Sequence, residues 1–128
     1  MKFRQIGLHV VDLDRAISFY SRLLEYEVLA RFSGPGFAFF DLEGVRLFLD
    51  VNAPRSAIYL EVSDVRRKIK EIQHLGIKVV SEPHIVFPDP QGIFDSPGNE
   101  WLAFIEDSEG NTIGLMSREN LKVISSAT

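Results

Sequence analysis

The chain predicts an α+β fold made from two copies of one βαβββ unit, and three observations carry that expectation. The segments IGLHVVDLDRAISFYSRLLEYEVL and IYLEVSDVRRKIKEIQHLGIKVV share one grammar: an alternating strand, an Asp, a helical pattern, then another strand. Each helical pattern carries one apolar face at 3.6-residue spacing. Further strand-like runs follow each helix, divided by turn signals.

Asp12 and Asp64 stand in register as N-caps, because a short carboxylate accepts hydrogen bonds from the open amides of a first helical turn. The first helix places Leu13, Ala16, Ile17, Tyr20, Leu23 and Leu24 on one face. The second places Val65, Ile69, Ile72 and Leu75 there, before Gly76 as its stop. After the first helix, strands are expected over Glu27–Ser33, Phe37–Leu42 and Val45–Val51, split by Gly34-Pro35-Gly36 and Glu43-Gly44. After the second they are expected over Lys78–Val80, Glu100–Ile105 and Thr112–Ser117, the last two parted by the turn EDSEGN. The result is a single domain over residues 1–117, with modules at about 3–52 and 56–117 and a tail at 118–128. Residues 81–99 hold four of the six prolines and read as a long loop, a flap over a binding site.

A chain of 128 residues, 45% hydrophobic and 25% charged, has the make-up of one globular domain with its own core. A net charge of −4 argues against nucleic acid as a partner, since phosphate binding draws on clustered Lys and Arg. The one basic cluster, Arg66-Arg67-Lys68, reads as a solvated helix face. No apolar run approaches a membrane span and MKFRQ lacks a signal peptide's apolar stretch, so a cytoplasmic protein without a membrane partner is expected. The lack of cysteine fits a reducing compartment and excludes thiolate metal ligands.

Two βαβββ modules, the run DLDRAISFYSRLL and the terminal EDSEGNTIGLMS resemble the vicinal oxygen chelate superfamily of glyoxalase I, bleomycin-resistance proteins and extradiol dioxygenases. The resemblance covers about residues 3–117. It implies that the modules curl a mixed sheet into a cup, with helices on the convex side and the site in the concave face. Glu25 departs from the pattern, which usually leaves this helix on Gly. Metal-dependent relatives place their ligands at fixed points, and counted along this chain those points are Gln5, Phe48, Ala57 and Gly114. Only Gln5 has an oxygen to offer, whereas a catalytic metal needs about three ligands from His, Asp and Glu. No metal and no cofactor is therefore expected.

Strand alternation places Gln5, Gly7 and His9 in one inward row, Ala57, Tyr59 and Glu61 in another, Arg46, Phe48 and Asp50 in a third, and Thr112, Gly114 and Met116 in a fourth. Ile6, Leu8, Val10, Leu47, Leu49, Ile58, Leu60, Ile113 and Leu115 fall on the opposite rows, beneath the helices, as core. Aromatic and apolar surface with a few ionisable groups is the composition of a small-molecule pocket. The candidate ligand contacts are Gln5, His9, Arg46, Phe48, Asp50, Ala57, Tyr59, Glu61, Gly114 and Met116, joined by His84 from the Pro-rich flap and by Trp101 as a pocket wall. His74 reads as a surface residue.

The reading that follows is a metal-free protein that holds a small aromatic or cationic molecule in the cup, as a homodimer with its sheet edges covered. The alternative is a lyase, isomerase or dioxygenase that uses His9 with Glu61 or Asp50, or a rearranged metal site.

Overall fold

The computed structural model describes residues 1–53, 56–94 and 96–121, with only the backbone described at Ser56 and Ala57. Its elements run β1 (Lys2–His9), α1 (Leu13–Leu24), β2 (Ala30–Phe32), β3 (Phe37–Leu42), β4 (Val45–Asp50), β5 (Ser56–Glu61), α2 (Val65–His74), β6 (Val79–Asp89), β7 (Gly98–Glu106) and β8 (Thr112–Asn120). The unit βαβββ thus occurs twice, as the repeat predicts. One eight-stranded mixed sheet has the order β2-β3-β4-β1-β5-β8-β7-β6. The first strand of each module lies parallel to its last, β1 beside β4 and β5 beside β8. The two modules join within the chain along the antiparallel β1–β5 seam.

Both helices start on the expected caps. The Asp12 carboxylate accepts from the Arg15 amide, and that of Asp64 accepts from the amides of Arg66 and Arg67. α1 ends on Glu25 at φ 59°, a left-handed residue in the place where Gly costs least. α2 ends at His74, with Leu75 as its cap and Gly76 following at φ 77°.

Two apolar clusters form under the helices. Leu13 and Ile17 of α1 pack on Ala38, Phe40, Leu47 and Leu49, while Val65, Ile69 and Ile72 of α2 pack on Ala103 and Leu115. Leu8, Val10, Leu60 and Ile113 border these clusters, as expected of core rows. Ile6 and Ile58, paired across the seam, are a correction: they are 43% and 39% exposed. The reason is geometric, for α1 lies over β3 and β4 and α2 over β6, β7 and β8, which leaves the seam uncovered.

The Pro-rich stretch is a second correction. Residues 79–89 form a strand rather than a loop, with register shifts along its pairing with β7. β6 is an edge strand, and there proline's missing N–H removes no ladder bond when it faces outward. The tail also begins later than expected. Arg118, Glu119 and Asn120 continue β8, paired with Glu100, Asn99 and Gly98, while residues 122–128 lie outside the described set.

The sheet curls until its two edges meet through side chains, with the rings of Phe32 (β2) and Phe87 (β6) 5.5 Å apart. Phe94, beyond β6, packs edge-on against Phe39 of β3 at 4.9 Å. What results is a half-barrel whose inner face is occupied by the chain's own side chains.

Candidate binding site on the inner face

One row crosses the middle of the inner face. Gln5 lies between Arg46 on β4 and Tyr59 on β5, and Tyr59 lies beside Gly114 on β8, which faces Phe104 on β7. The next row places Phe39, Phe48, Gly7 and Ala57 in sequence. Alternation therefore places Gln5, Arg46, Phe48, Tyr59 and Gly114 on one face, as expected.

Tyr59 dominates the centre. Its ring, 3% exposed, lies over two glycines, so that a Cβ on Gly7 would stand 3.1 Å from Tyr59 Cε1 and one on Gly114 would strike the ring carbons. Phe48 and Phe104 flank it edge-on at 6.4 and 5.9 Å. Phe48 in turn stacks on Phe39 at 4.9 Å and touches Phe37 at 5.7 Å. Met116 and Leu102 are buried against Tyr59. Burial, and after it the Asp50 charge, pushes the Tyr59 phenol up to about 12.

On the other side of the row lies a buried ionic cluster that sequence reasoning missed. Arg46 Nη1 and Nη2 donate to both oxygens of Glu100 at 3.0 and 2.8 Å, across the interior from β4 to β7. Arg118 donates to Glu100 at 2.9 Å and to Asp89 at 2.9 Å, and also to the Ser96 carbonyl. Arg4 adds a longer contact to Glu100 at 3.9 Å. Burial lowers the Arg46 guanidinium's pKa, and the Glu100 hydrogen bonds and charge oppose that fall. Burial alone would raise the Asp89 carboxyl; the Ile93 amide, Arg118 and the Phe94 amide outweigh it and hold the group below the usual carboxylate range. The Arg46 guanidinium also lies over the Phe94 ring at 4.3 Å. A signal for Glu100 was present, since alternation puts it in one row with Leu102 and Phe104. Arg118 and Asp89 were hidden by the tail and loop readings.

The remaining candidates divide. Asp50 is near Tyr59 and accepts from the Asn52 amide at 2.9 Å. His9, beside Asp50, is exposed at that end of the inner face. Glu61 pairs with Lys2 at 3.0 Å, at the opposite end of β1. Seven residues of strand separate Lys2 from His9, roughly 23 Å, so His9 and Glu61 do not form an acid–base pair. Near Glu61 a surface cleft of about 470 Å³ is lined by Met1, Lys2, Val62, Ser63 and Arg118. Beside it a gap of only about 10 Å³ adjoins Arg4, Glu100 and Met116, the size of a single water. Ala57 faces Gly7, and its side chain lies outside the described set. His84 is exposed on the edge strand, with Nδ1 3.0 Å from the Glu82 carbonyl, and is no lid over the interior.

Trp101 is a correction. It alternates with the inward Glu100 and Leu102, packs with the α2 cluster and lies beneath the Arg66 guanidinium at 4.3 Å. It belongs to the convex side, and the basic cluster is in part its cover.

The residues at the four counted ligand points do not fit a metal. Phe48 and Gly114 offer no donor, and the Tyr59 ring fills the space above Gly114. Among the described residues no group of three His, Asp or Glu side chains comes together that could hold an ion.

Paired βαβββ modules forming one curled sheet, with helices outside and the candidate site inside, define the glyoxalase-fold class. The profile of the Glyoxalase/Bleomycin resistance protein/Dioxygenase superfamily matches residues 2–115, and the chain belongs to that family. No curated protein matches it. Among solved structures, a superfamily member from Vibrio splendidus 12B01 is 16% identical with a TM-score of 0.65, covering 91% of this chain and 99% of that one. A protein described as an NAD-dependent benzaldehyde dehydrogenase from Legionella pneumophila is also 16% identical, with a TM-score of 0.64 over 90% and 98% of the two chains. The Mn(II)-bound glyoxalase from Novosphingobium aromaticivorans is 19% identical, with a TM-score of 0.63 over 98% of this chain and 42% of that one. At such identities the likeness is one of fold.

Proposed function

We propose that this family member binds a small aromatic molecule, neutral or cationic, on the inner face without a metal. The supporting observation is the ring set around Tyr59: Phe37, Phe48 and Phe104 are partly exposed, Asp50 supplies a carboxylate beside them, and the metal points carry Phe, Gly and an amide. Rings attract rings and cations through their faces, and a nearby carboxylate adds to the second effect. Of the enzymatic readings, a pairing of His9 with Glu61 has no geometric support, since the two stand at opposite ends of β1, whereas His9 and Asp50 are register partners. Protein purified without chelator should carry no stoichiometric zinc, nickel, manganese or iron, and a panel of one-ring compounds should raise its melting temperature by mass action. One equivalent of metal after dialysis, or a panel without a single stabilising compound, would overturn the reading.

We also propose a cytoplasmic setting, which the cysteine-free composition fits, and a symmetric homodimer. The uncovered seam supports the dimer: Phe3, Ile6 and Ile58 are exposed apolar side chains at the middle of the sheet, where Ile6 and Ile58 occupy equivalent positions in the two modules. Light scattering at micromolar concentration should give twice 14.5 kDa, and a 14.5 kDa species alone would exclude the dimer.

A further inference from the structure

The turn after β6 reaches back into the interior through one side chain. Pro90, Gln91 and Ile93 are exposed, whereas Phe94 is half-buried against the inner face. Its ring sits over the Arg46 guanidinium at 4.3 Å and meets Phe39 and Phe87 at steep angles, 4.9 and 5.3 Å away. Among the described residues, Phe94 joins neither of the apolar clusters beneath the helices nor the group packed around Tyr59. The turn is held instead by one buried carboxylate. Asp89 accepts from the amides of Ile93 and Phe94 at 2.8 and 3.2 Å and from Arg118 at 2.9 Å, and Gly92 makes the bend at φ 71°. Strand pairing between β6 and β7 ends at Asp89 and Gly98. Residues 90–94 can therefore swing outward without unpacking a helix or parting two strands, and the ring then goes to solvent rather than into the core.

We propose that Phe94 is a built-in plug: in the free protein it stands where a ligand ring would lie against Arg46, and a neutral, electron-rich aromatic ring binds there by displacing it. Such a ring gains the same cation–π contact with Arg46 and the same contacts with Phe39 and Phe87. Arg46 keeps its pair with Glu100 throughout. A cationic ring is disfavoured by the guanidinium, and a nitro-substituted ring by its electron-poor face. The inference rests on the reading of the inner face as an aromatic-binding site, and it adds how the free chain keeps that face covered. Opening costs the hydrogen bonds from the two amides to Asp89, so the apparent affinity of the wild type is reduced by the fraction of molecules that are open.

Phenol, nitrobenzene and benzylammonium are the probes, and amide hydrogen exchange is the main readout. In the free wild type the Ile93 and Phe94 amides should exchange at least about tenfold faster than those of Leu102 and Ala103 in β7, as a local opening requires. Phenol should speed the first two further, because the bound state is the open one, and leave the β7 amides protected. Phe94→Ala removes the competing ring and should bind phenol at least about tenfold more tightly than the wild type, and more tightly than it binds nitrobenzene or benzylammonium. If that variant fails to fold, Phe94→Leu makes the same comparison. Tighter binding by the variant alone would follow from any new cavity, so the wild-type exchange result decides. The proposal is overturned if Ile93 and Phe94 exchange only when the whole core unfolds, or if phenol binds the wild type with both amides still protected. Equal binding of phenol by wild type and variant overturns it too and leaves the aromatic-binding reading intact. If no probe binds either protein, this proposal falls, and the broader reading is then decided by its own wider panel.

Discussion

Replacing Glu100 by Gln should be among the most damaging conservative changes in the chain. The carboxylate receives three charge-assisted hydrogen bonds of 2.8 to 3.0 Å from Arg46 and Arg118, and both Arg46 and Glu100 are buried. Gln keeps the shape and removes the charge, which leaves two guanidiniums in a poorly solvated interior with Asp89 as their counter-charge. Breaking a buried pair in this way costs about 3–5 kcal/mol, because the remaining charge has lost both water and partner. The exposed pair Lys68–Glu71 is the control, and Glu71→Gln should cost about 0–1 kcal/mol. With a urea slope of about 1–3 kcal/mol per molar, Glu100→Gln should lower the unfolding midpoint by more than about 1 M. The double variant Arg46→Met/Glu100→Leu should recover most of the loss, since an apolar pair of similar volume replaces a buried ion pair at little net cost. Equal midpoints for Glu100→Gln and Glu71→Gln would refute the argument and mean that water reaches the cluster.

The Tyr59 phenol should titrate near 12, seen as a late ultraviolet step that Tyr59→Phe removes. Because its folded pKa is raised, the stability it confers is whole below about 10 and is lost as pH climbs through 12. Asp89 has the opposite sign: its folded pKa is depressed, so its contribution is present above about 3.9 and vanishes as pH falls through the lower folded value. Asp89→Asn should therefore flatten the acid limb of the urea midpoint below about pH 4, and an unchanged limb would be evidence against the cluster. Trp101 emission should respond to Arg66→Ala and stay constant when a ligand enters the inner face, since the indole lies on the convex side. Gly114→Ala should cost about 1–3 kcal/mol by overpacking against Tyr59, and Tyr59→Leu in the same chain should relieve it.

Periodicity made most of the fold legible. Period-2 rows picked out Gln5, Arg46, Phe48, Tyr59, Gly114 and Met116 as inward, and the in-register Asp caps fixed the pairing of modules. Trp101 was misassigned against the alternation itself, which from an expected start at Glu100 already sets it opposite Glu100, Leu102 and Phe104; β7 in fact begins at Gly98, and the same phase puts Trp101 outside. The Pro-rich stretch deceived for a local reason, since proline counts against a strand only where its neighbour needs an N–H. What alternation cannot supply is distance across a curled sheet. Arg46 and Glu100 are 54 positions apart in sequence and on non-adjacent strands, and only the curl lets them pair. For the same reason the inner face read as an open cup, although the rings of Phe32 and Phe87 close over it.

The occupied interior also explains why the residues at the counted ligand points do not fit a metal. In module one the small residue is Gly7 on β1 and the large one is its neighbour Phe48 on β4; in module two the large residue is Tyr59 on β5 and the small one is Gly114 on β8. The two pairs occupy equivalent places with sizes exchanged, so each ring fills the gap left by a glycine. Tyr59 covers both Gly7 and Gly114, and Phe48 closes the slot edge-on. A side chain long enough to ligate at position 114 must begin with a Cβ inside the Tyr59 ring. Ala57→His with Gly114→Glu is therefore insufficient to build a metal site around Gln5, because Tyr59 must shrink as well. Packing at native density makes such changes collective, since a glycine opposite a ring cannot gain a side chain until the ring has gone. Gln5, in register with Tyr59, is buried beside this interlock, and its Oε1 has no hydrogen-bond partner among the described residues.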